Sequence, residues 1–450
     1  MNLRDWFRDR TVRKIAKYGV PAAAGKFINA ISGLITMAVL ARYLGPGPFG
    51  VIALFRTVVT VVDLYANFNT WQALIKYGTE AIAAQRPDDV KRMIKLAFLI
   101  DVTTAIIGAF VVFGLTLIIP DQFGWSADEA VLCAIYGLTL VSKVSGTTDG
   151  IFRICDAYRV QAVIAGIGAV LSTAAVVIAV ALDASFEGCV IALVAAEIAS
   201  NIATTITSIW VANQAGYRGW MKTTLAGLRT TFPGIVRFFV ATNAQLTVKT
   251  TQGEIDMLVI GSMLGKEAAG LFRVVKQLGT IPGRVFLPFE IVLFTELARC
   301  SANHDYAGFR RLLLRAVAIA GVGSLLIWIV AATFAGPLIE LVAGPAFSSV
   351  APAFRWYLLG MVVQVCGTTV MRSMIALGRP GTAFLFDAAS LVVLIVAVLF
   401  GAHHLGLVGV AMAIVLHKAV QLAWSTSVVW RLLRSHEANQ ARAAAAAATS

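Results

Sequence analysis

Twelve stretches of this chain are long and apolar enough to cross a bilayer, and no other feature limits its fold so tightly. A spanning helix needs about 20 mostly apolar residues. The stretches lie at 18–42, 49–73, 93–119, 129–152, 159–182, 188–212, 234–262, 268–297, 309–334, 351–377, 380–401 and 407–430. The expected class is an all-α polytopic membrane protein. Composition agrees: 58% of residues are hydrophobic and 14% charged, where a soluble domain carries about 25% charged. That deficit excludes an ordinary soluble enzyme, and the hydrophobicity excludes disorder.

Bilayers exclude charge, so the net charge of +13 needs a location. The connections on one side of the predicted spans hold 26 Lys and Arg residues, from Arg4, Arg8, Arg10, Arg13, Lys14 and Lys17 through Arg153 and Arg159 to Arg434 and Arg442. The other side holds Arg42 and Lys266, beside Asp121, Asp128, Glu129, Asp183, Glu187, Glu267 and Glu340. Positive residues mark cytoplasmic loops, which puts both termini in the cytoplasm. It also explains the basic character without a nucleic-acid partner.

The expected organisation is an interfacial helix over 1–17, with Trp6 and Phe7 among the cations, and a six-helix half over 18–212. A cytoplasmic linker over 213–233, a second six-helix half over 234–430 and a cytoplasmic tail over 431–450 complete it. The basic leader runs into a span without a small-residue cleavage site, unlike a secretory signal. No loop is long enough to fold as a catalytic domain, which weighs against a membrane polymerase or glycosyltransferase. The five cysteines are scattered without a CxxC, and the five histidines have no ligand spacing, so neither metal nor cofactor is expected.

The halves resemble each other. Leu44, Gly45 and Gly50 match Leu264, Gly265 and Gly270 at an offset of 220, which also places Arg56 on Lys276 and Arg159 on Arg379. Six spans per half give both halves the same orientation, so the repeats are parallel, a transporter design with the site between them. The first of these loops spells GxGxxG from Gly45 to Gly50. A dinucleotide site needs a strand before it and a βαβ setting; between two spans, the glycines and prolines read as a tight turn.

Nine cations remain inside the spans. Lys143, Arg355 and Lys418 lie near span ends and are expected to snorkel. The other six, Lys26, Arg56, Lys249, Arg273, Lys276 and Arg284, fall in spans one, two, seven and eight. They lie on stripes: Lys26, Asn29, Gly33 and Thr36; Arg56, Thr60, Asp63 and Asn67; Gln245, Lys249, Gln252 and Asp256; Arg273, Gln277, Thr280 and Arg284. Such spacing follows one helical face, which must turn away from lipid. Arg56 with Asp63, or Lys249 with Asp256, are the plain structural pairings. Three acids (Asp63, Glu254, Asp256) against six cations still leave an excess suited to an anionic ligand. Pro282, Gly283 and Pro288 in span eight offer a bending point or mere packing irregularity.

Twelve spans in two halves, with "ARYLGPGPFGVIALFRTV" after span one and "DMLVIGSMLGKEAAGLFRVVKQL" across spans seven and eight, resemble the bacterial polysaccharide flippases. These are the O-antigen and exopolysaccharide exporters of the multidrug/oligosaccharidyl-lipid/polysaccharide superfamily. The resemblance implies an inner-membrane protein, not an enzyme, that turns an undecaprenyl-diphosphate-linked oligosaccharide from the inner to the outer leaflet by alternating access around a central cavity. It implies substrate contact at Lys26, Arg56, Lys249, Arg273, Lys276 and Arg284, with membrane lipids, a polysaccharide polymerase and glycosyltransferases as partners. Asp63 and Asp256 are the candidate ion-coupling acids. The rivals are a multidrug antiporter, which calls for an acid-dominated cavity; a peptidoglycan-precursor flippase, which twelve spans rather than fourteen disfavour; and a glycan-assembling membrane enzyme.

Overall fold

The computed structural model describes residues 10–378 and 380–449. Arg4, Arg8 and Arg379, and the side chains of Lys26, Gln245 and Pro288, lie outside the described residues. Among the described residues every regular element is helical. In chain order these are α1 (Arg10–Leu44), α2 (Pro46–Ala66), α3 (Trp71–Ala83), α4 (Pro87–Leu115), α5 (Pro120–Phe123), α6 (Ala127–Gly137), α7 (Ser145–Ile154), α8 (Tyr158–Ala181) and α9 (Phe186–Gln214). There follow α10 (Leu228–Thr231), α11 (Ile235–Gly279), α12 (Ile281–Ala302), α13 (Tyr306–Thr333), α14 (Ala335–Ala343), α15 (Ala351–Ala376) and α16 (Pro380–Thr449). Local chemistry starts many of them. Proline opens α2 and α4, where its missing N–H costs nothing. Ser126 and Glu129 form a reciprocal capping box on α6, and the Asp305 carboxylate accepts from Gly308 N at the start of α13.

Nine segments among the described residues are long and apolar enough to span a membrane, and one of them, Phe384–His436, folds back at Gly406 and so contains spans eleven and twelve. The predicted spans seven and eight run through α11 and α12, which are not among these nine. Arg10 to Lys17 are continuous with the first span in α1, and α16 stays helical through Thr449.

Three predicted spans are not single helices, and one of them, span eight, passes from α11 to α12 at Thr280, two residues before Pro282. Span two stops at Ala66: Asn67 is extended (φ −85°, ψ 127°), Asn69 is left-handed, and Asn67 Oδ1 accepts from Asn69 N at 3.0 Å before α3 restarts. Asn tolerates both roles. Span four breaks between Gly137 and Ser145, passing through a 3-10 turn at Leu138–Leu140.

The duplication is written in the backbone. Gly45 (φ 75°, ψ 177°) and Gly265 (φ 85°, ψ 176°) share a conformation that only glycine adopts easily. Four further positive-φ residues in the first half, Gln85, Gly124, Asp156 and Asp183, recur in the same order as His304, Gly344, Gly378 and Gly406. Five turns of each half, in the same order, therefore carry a positive-φ residue.

The chain forms two compact units, Met1–Thr250 and Thr251–Ser450. In the first, Ala73, Tyr77, Met93 and Phe152 pack with Trp220, Phe232 and Phe239, so the opening turns of α11 belong to this core. In the second, Leu293, Leu297, Leu313 and Met374 form the core with Phe309 and Phe386. Ala73, Tyr77 and Met93 stand at the repeat positions of Leu293, Leu297 and Leu313, so each half buries corresponding faces of its second and third spans.

Candidate functional site

In the first unit the broken helices converge on one carboxylate. Asp101 of α4 is fully buried. It accepts from Thr70 Oγ1 at 2.7 Å, Thr147 N at 2.6 Å and Thr147 Oγ1 at 2.8 Å. Thr70 precedes α3 and Thr147 lies in the first turn of α7. The carboxylate satisfies an orphan backbone donor of α7 and opposes that helix's positive end, and it holds the start of α3 through the Thr70 hydroxyl. Glycine permits the approach: a Cβ at Gly146 would lie 2.4 Å from Thr70 Oγ1, and one at Gly150 2.5 Å from Leu74 Cδ2.

The break in span four also redirects Lys143. Its Nζ lies 2.7 Å from Asp63 Oδ2 on α2, with the two side chains 35% and 19% exposed; the Asn67 amide donates to the other Asp63 oxygen at 3.4 Å. Lys143 therefore does not snorkel from a span end, as linear spacing suggested. The non-helical segment turns it onto a carboxylate. Asp63 is held by Lys143, not solely by its stripe neighbours. Arg56, seven residues before Asp63, is exposed. Thr36 of the first stripe faces α8, its hydroxyl 2.9 Å from that of Thr173, and so serves helix packing.

In the second unit Lys276 folds back onto the segment before the Gly265 kink. Its Nζ lies 2.8 Å from Asp256 Oδ1 and 3.5 Å from Glu254 Oε2, and it donates to the Gly253 carbonyl. Two acids and a carbonyl thus neutralise this cation. Glu290 of α12 takes a two-pronged contact from Arg372, with Nε and a terminal nitrogen each 2.9 Å away, plus the Thr368 hydroxyl at 2.6 Å. Gln252 and Gln421 donate to Ser390 Oγ at 3.1 and 3.0 Å, and Gln421 also reaches Asp387 Oδ1 at 3.4 Å. His417, one turn before Gln421, is 1% exposed, and neither ring nitrogen has a hydrogen-bond partner among the described residues.

Of the expected contacts, Lys249 and Arg284 are exposed like Arg56, and Arg273 is half-buried. Lys26 lies outside the described residues for its side chain. Arg355 reaches the Ala332 carbonyl at 3.0 Å and so caps the end of α13. The acid tally on the stripes was too small. Asp101, Glu290 and Asp387 also lie in spanning helices, and each had a signal in the sequence: an isolated carboxylate within an apolar run demands a partner. No cluster of His, Cys, Asp and Glu suited to a metal exists among the described residues.

Helices of this length and polarity, folded in this order, define a polytopic all-helical membrane protein. The fold matches an inward-facing multidrug resistance MATE family transporter of the MOP superfamily with a TM-score of 0.70 at 15% identity, covering 92% of this chain and 99% of that one; that fold has twelve helices in two repeats. It matches the lipid II flippase MurJ in an inward closed conformation with a TM-score of 0.72 at 15% identity, covering 93% and 90%. More particularly, the chain belongs to the family described as "Polysaccharide biosynthesis protein", whose profile matches residues 39–352. The inner membrane protein YghQ of Escherichia coli (strain K12) is 24% identical over 280 residues, which is 61% of this chain and 77% of YghQ.

Proposed function

We propose that this protein carries an undecaprenyl-diphosphate-linked oligosaccharide from the inner to the outer leaflet of a bacterial inner membrane, for surface polysaccharide synthesis. The observation that carries this reading is the set of exposed cations, Arg56, Lys249 and Arg284, on membrane helices of a chain in a polysaccharide biosynthesis family. A lipid diphosphate is anionic, and an Arg fork suits phosphate. The glycan cannot enter hydrocarbon, so the polar stripes receive it while the tail stays in lipid. Lys26 and Arg273 join the cationic set, whereas Lys276 acts as the partner of Asp256 and Glu254 in the state described.

Alternating access completes the cycle with no bond broken, both termini remaining cytoplasmic. Asp63 and Asp256 are the coupling acids in this reading. Each is held by a lysine, and an entering cation competes with that lysine for the carboxylate. One charge crossing about 100 mV supplies roughly 2.3 kcal/mol. Support for the inner membrane comes from the likeness to YghQ. The test is complementation of cells lacking the protein: the Arg56→Ala/Lys249→Ala/Arg273→Ala variant inserts in the membrane at normal level but leaves surface polysaccharide absent. Normal polysaccharide with all three cations removed overturns the assignment of the site.

A further inference from the structure

Within the first unit, α1 and α8 enclose an elongated apolar groove of about 780 Å³. Small residues create it. A Cβ at Gly25 would stand 3.1 Å from Ala162, and one at Gly166 would stand 3.6 Å from Ile28, so the backbones approach closely and leave a recess beside the contact. The recess follows one stripe of α8, since Arg159, Val163, Ile167, Val170 and Ala174 all line it. This spacing of four, four, three and four residues keeps to a single helical face. At a rise of about 1.5 Å per residue the stripe is roughly 22 Å long, against a hydrocarbon core about 30 Å thick.

Among the described residues the groove has one charged lining residue, and that residue is at its end. Arg159 lies in the first turn of α8, is exposed, and has no carboxylate within ion-pair distance among the described residues. The other described lining residues are apolar, and Val163, Ile167 and Val170 are more than half exposed. A long apolar trough ending in a guanidinium complements a molecule with a long hydrocarbon chain and a phosphate head. Allowing roughly 30 Å³ for each methylene-sized group, the volume a liquid gives a water molecule, the trough holds on the order of 25 such groups. That exceeds one straight acyl chain and suits a thicker, methyl-branched one. The charge pattern of the loops assigns the Arg159 end to the cytoplasmic leaflet, where a lipid-linked substrate starts its journey.

We propose that the groove between α1 and α8 is a loading seat for the polyisoprenoid tail of the substrate, with Arg159 on its phosphate. This rests on the flippase reading above and adds a place for the tail outside the polar stripes. The seat holds the lipid by its chain and its first phosphate, whatever glycan is attached, and so separates lipid recognition from sugar recognition.

The test uses the full chain in nanodiscs of phosphatidylethanolamine and phosphatidylglycerol, with radiolabelled undecaprenyl diphosphate bearing no sugar as probe. A photoreactive benzoylphenylalanine replaces Val163 or Ile167, or, as lipid-facing controls, Phe110 or Val330. The expected result is a labelled adduct at Val163 and Ile167 well above both controls, displaced by unlabelled undecaprenyl diphosphate but not by added phosphatidylglycerol. Arg159→Gln lowers the yield by about tenfold, the worth of one charge-assisted contact. Val170→Trp, at a position more than half exposed, blocks the adduct at Ile167 while the protein accumulates in the membrane at the wild-type level. Equal labelling at the controls, equal displacement by phosphatidylglycerol, or indifference to Arg159→Gln overturns the proposal and leaves ordinary bilayer lipid in the groove. Flipping by the wild-type protein is measured separately in vesicles. Flipping without the adduct removes the seat and leaves the function; the adduct without flipping removes the function and leaves a phospho-isoprenoid site.

Discussion

Lys143 donates to Asp63 across 2.7 Å, joining the break in the fourth span to the polar face of the second. The pair is partly buried, so removing one member strands a charge in a poorly solvated place. Lys143→Ala is expected to destabilise the folded protein by about 1–3 kcal/mol. The double variant Lys143→Ala/Asp63→Ala recovers part of that loss, because no unpaired charge remains. Thermal unfolding of the purified proteins in one detergent gives the cycle, and strictly additive losses would show that the two residues do not interact.

Asp101 supports more of the structure than Asp63 does. Its carboxylate takes three hydrogen bonds, one from a backbone N–H that opens α7 and one from the Thr70 hydroxyl before α3. Asp101→Ala leaves those donors without partners, at about 1–3 kcal/mol each, and is expected to prevent stable accumulation in the membrane. Asp101→Asn keeps an acceptor oxygen and accumulates at an intermediate level. Membrane-fraction immunoblots read this out; wild-type levels of Asp101→Ala would contradict the role assigned to it.

Close packing makes a sharp contrast between glycines. Gly150→Ala drives a Cβ to 2.5 Å from Leu74 Cδ2, whereas at Gly114 nothing lies within 4 Å. The first change is expected to cost about 1–3 kcal/mol through overpacking. The second is neutral or stabilising by up to about 1 kcal/mol, since alanine is the better helix former. Melting temperatures of the two variants test the contrast, and similar shifts would refute it.

The shared backbone of Gly45 and Gly265 predicts matched effects in the two halves. Any other residue there carries strain of about 1–3 kcal/mol, so Gly45→Val and Gly265→Val should lose stability by similar amounts. Neither glycine has an atom near its missing Cβ, which leaves the backbone as the cause. A large loss at one and none at the other would break the correspondence between the repeats.

Much of the helical order was legible because apolar run length is a local property: the predicted starts at 159 and 351 fall within one residue of α8 and α15. The Leu44 and Gly45 match exposed the duplication for the same reason, as a turn writes its demand into its own residues. The breaks in spans two and four were not legible. They depend on Asp101 meeting Thr70 and Thr147, residues 31 and 46 positions away along the chain, and hydrophobic periodicity carries no such information. Helical spacing also groups residues on one helix only. It placed Lys276 beside the cationic stripe but could not place it on Asp256, which lies across the Gly265 turn.

The most direct measurement is lipid flipping itself. Purified protein is reconstituted into vesicles containing undecaprenyl-diphosphate oligosaccharide, and a membrane-impermeant glycan-modifying enzyme reports how fast the inner pool appears outside. The expected result is rapid appearance with the wild-type protein, and a rate no faster than in protein-free vesicles when Arg56, Lys249 and Arg273 are all replaced by Gln. Wild-type vesicles as slow as protein-free ones, or undiminished flipping by the triple variant, would contradict the account.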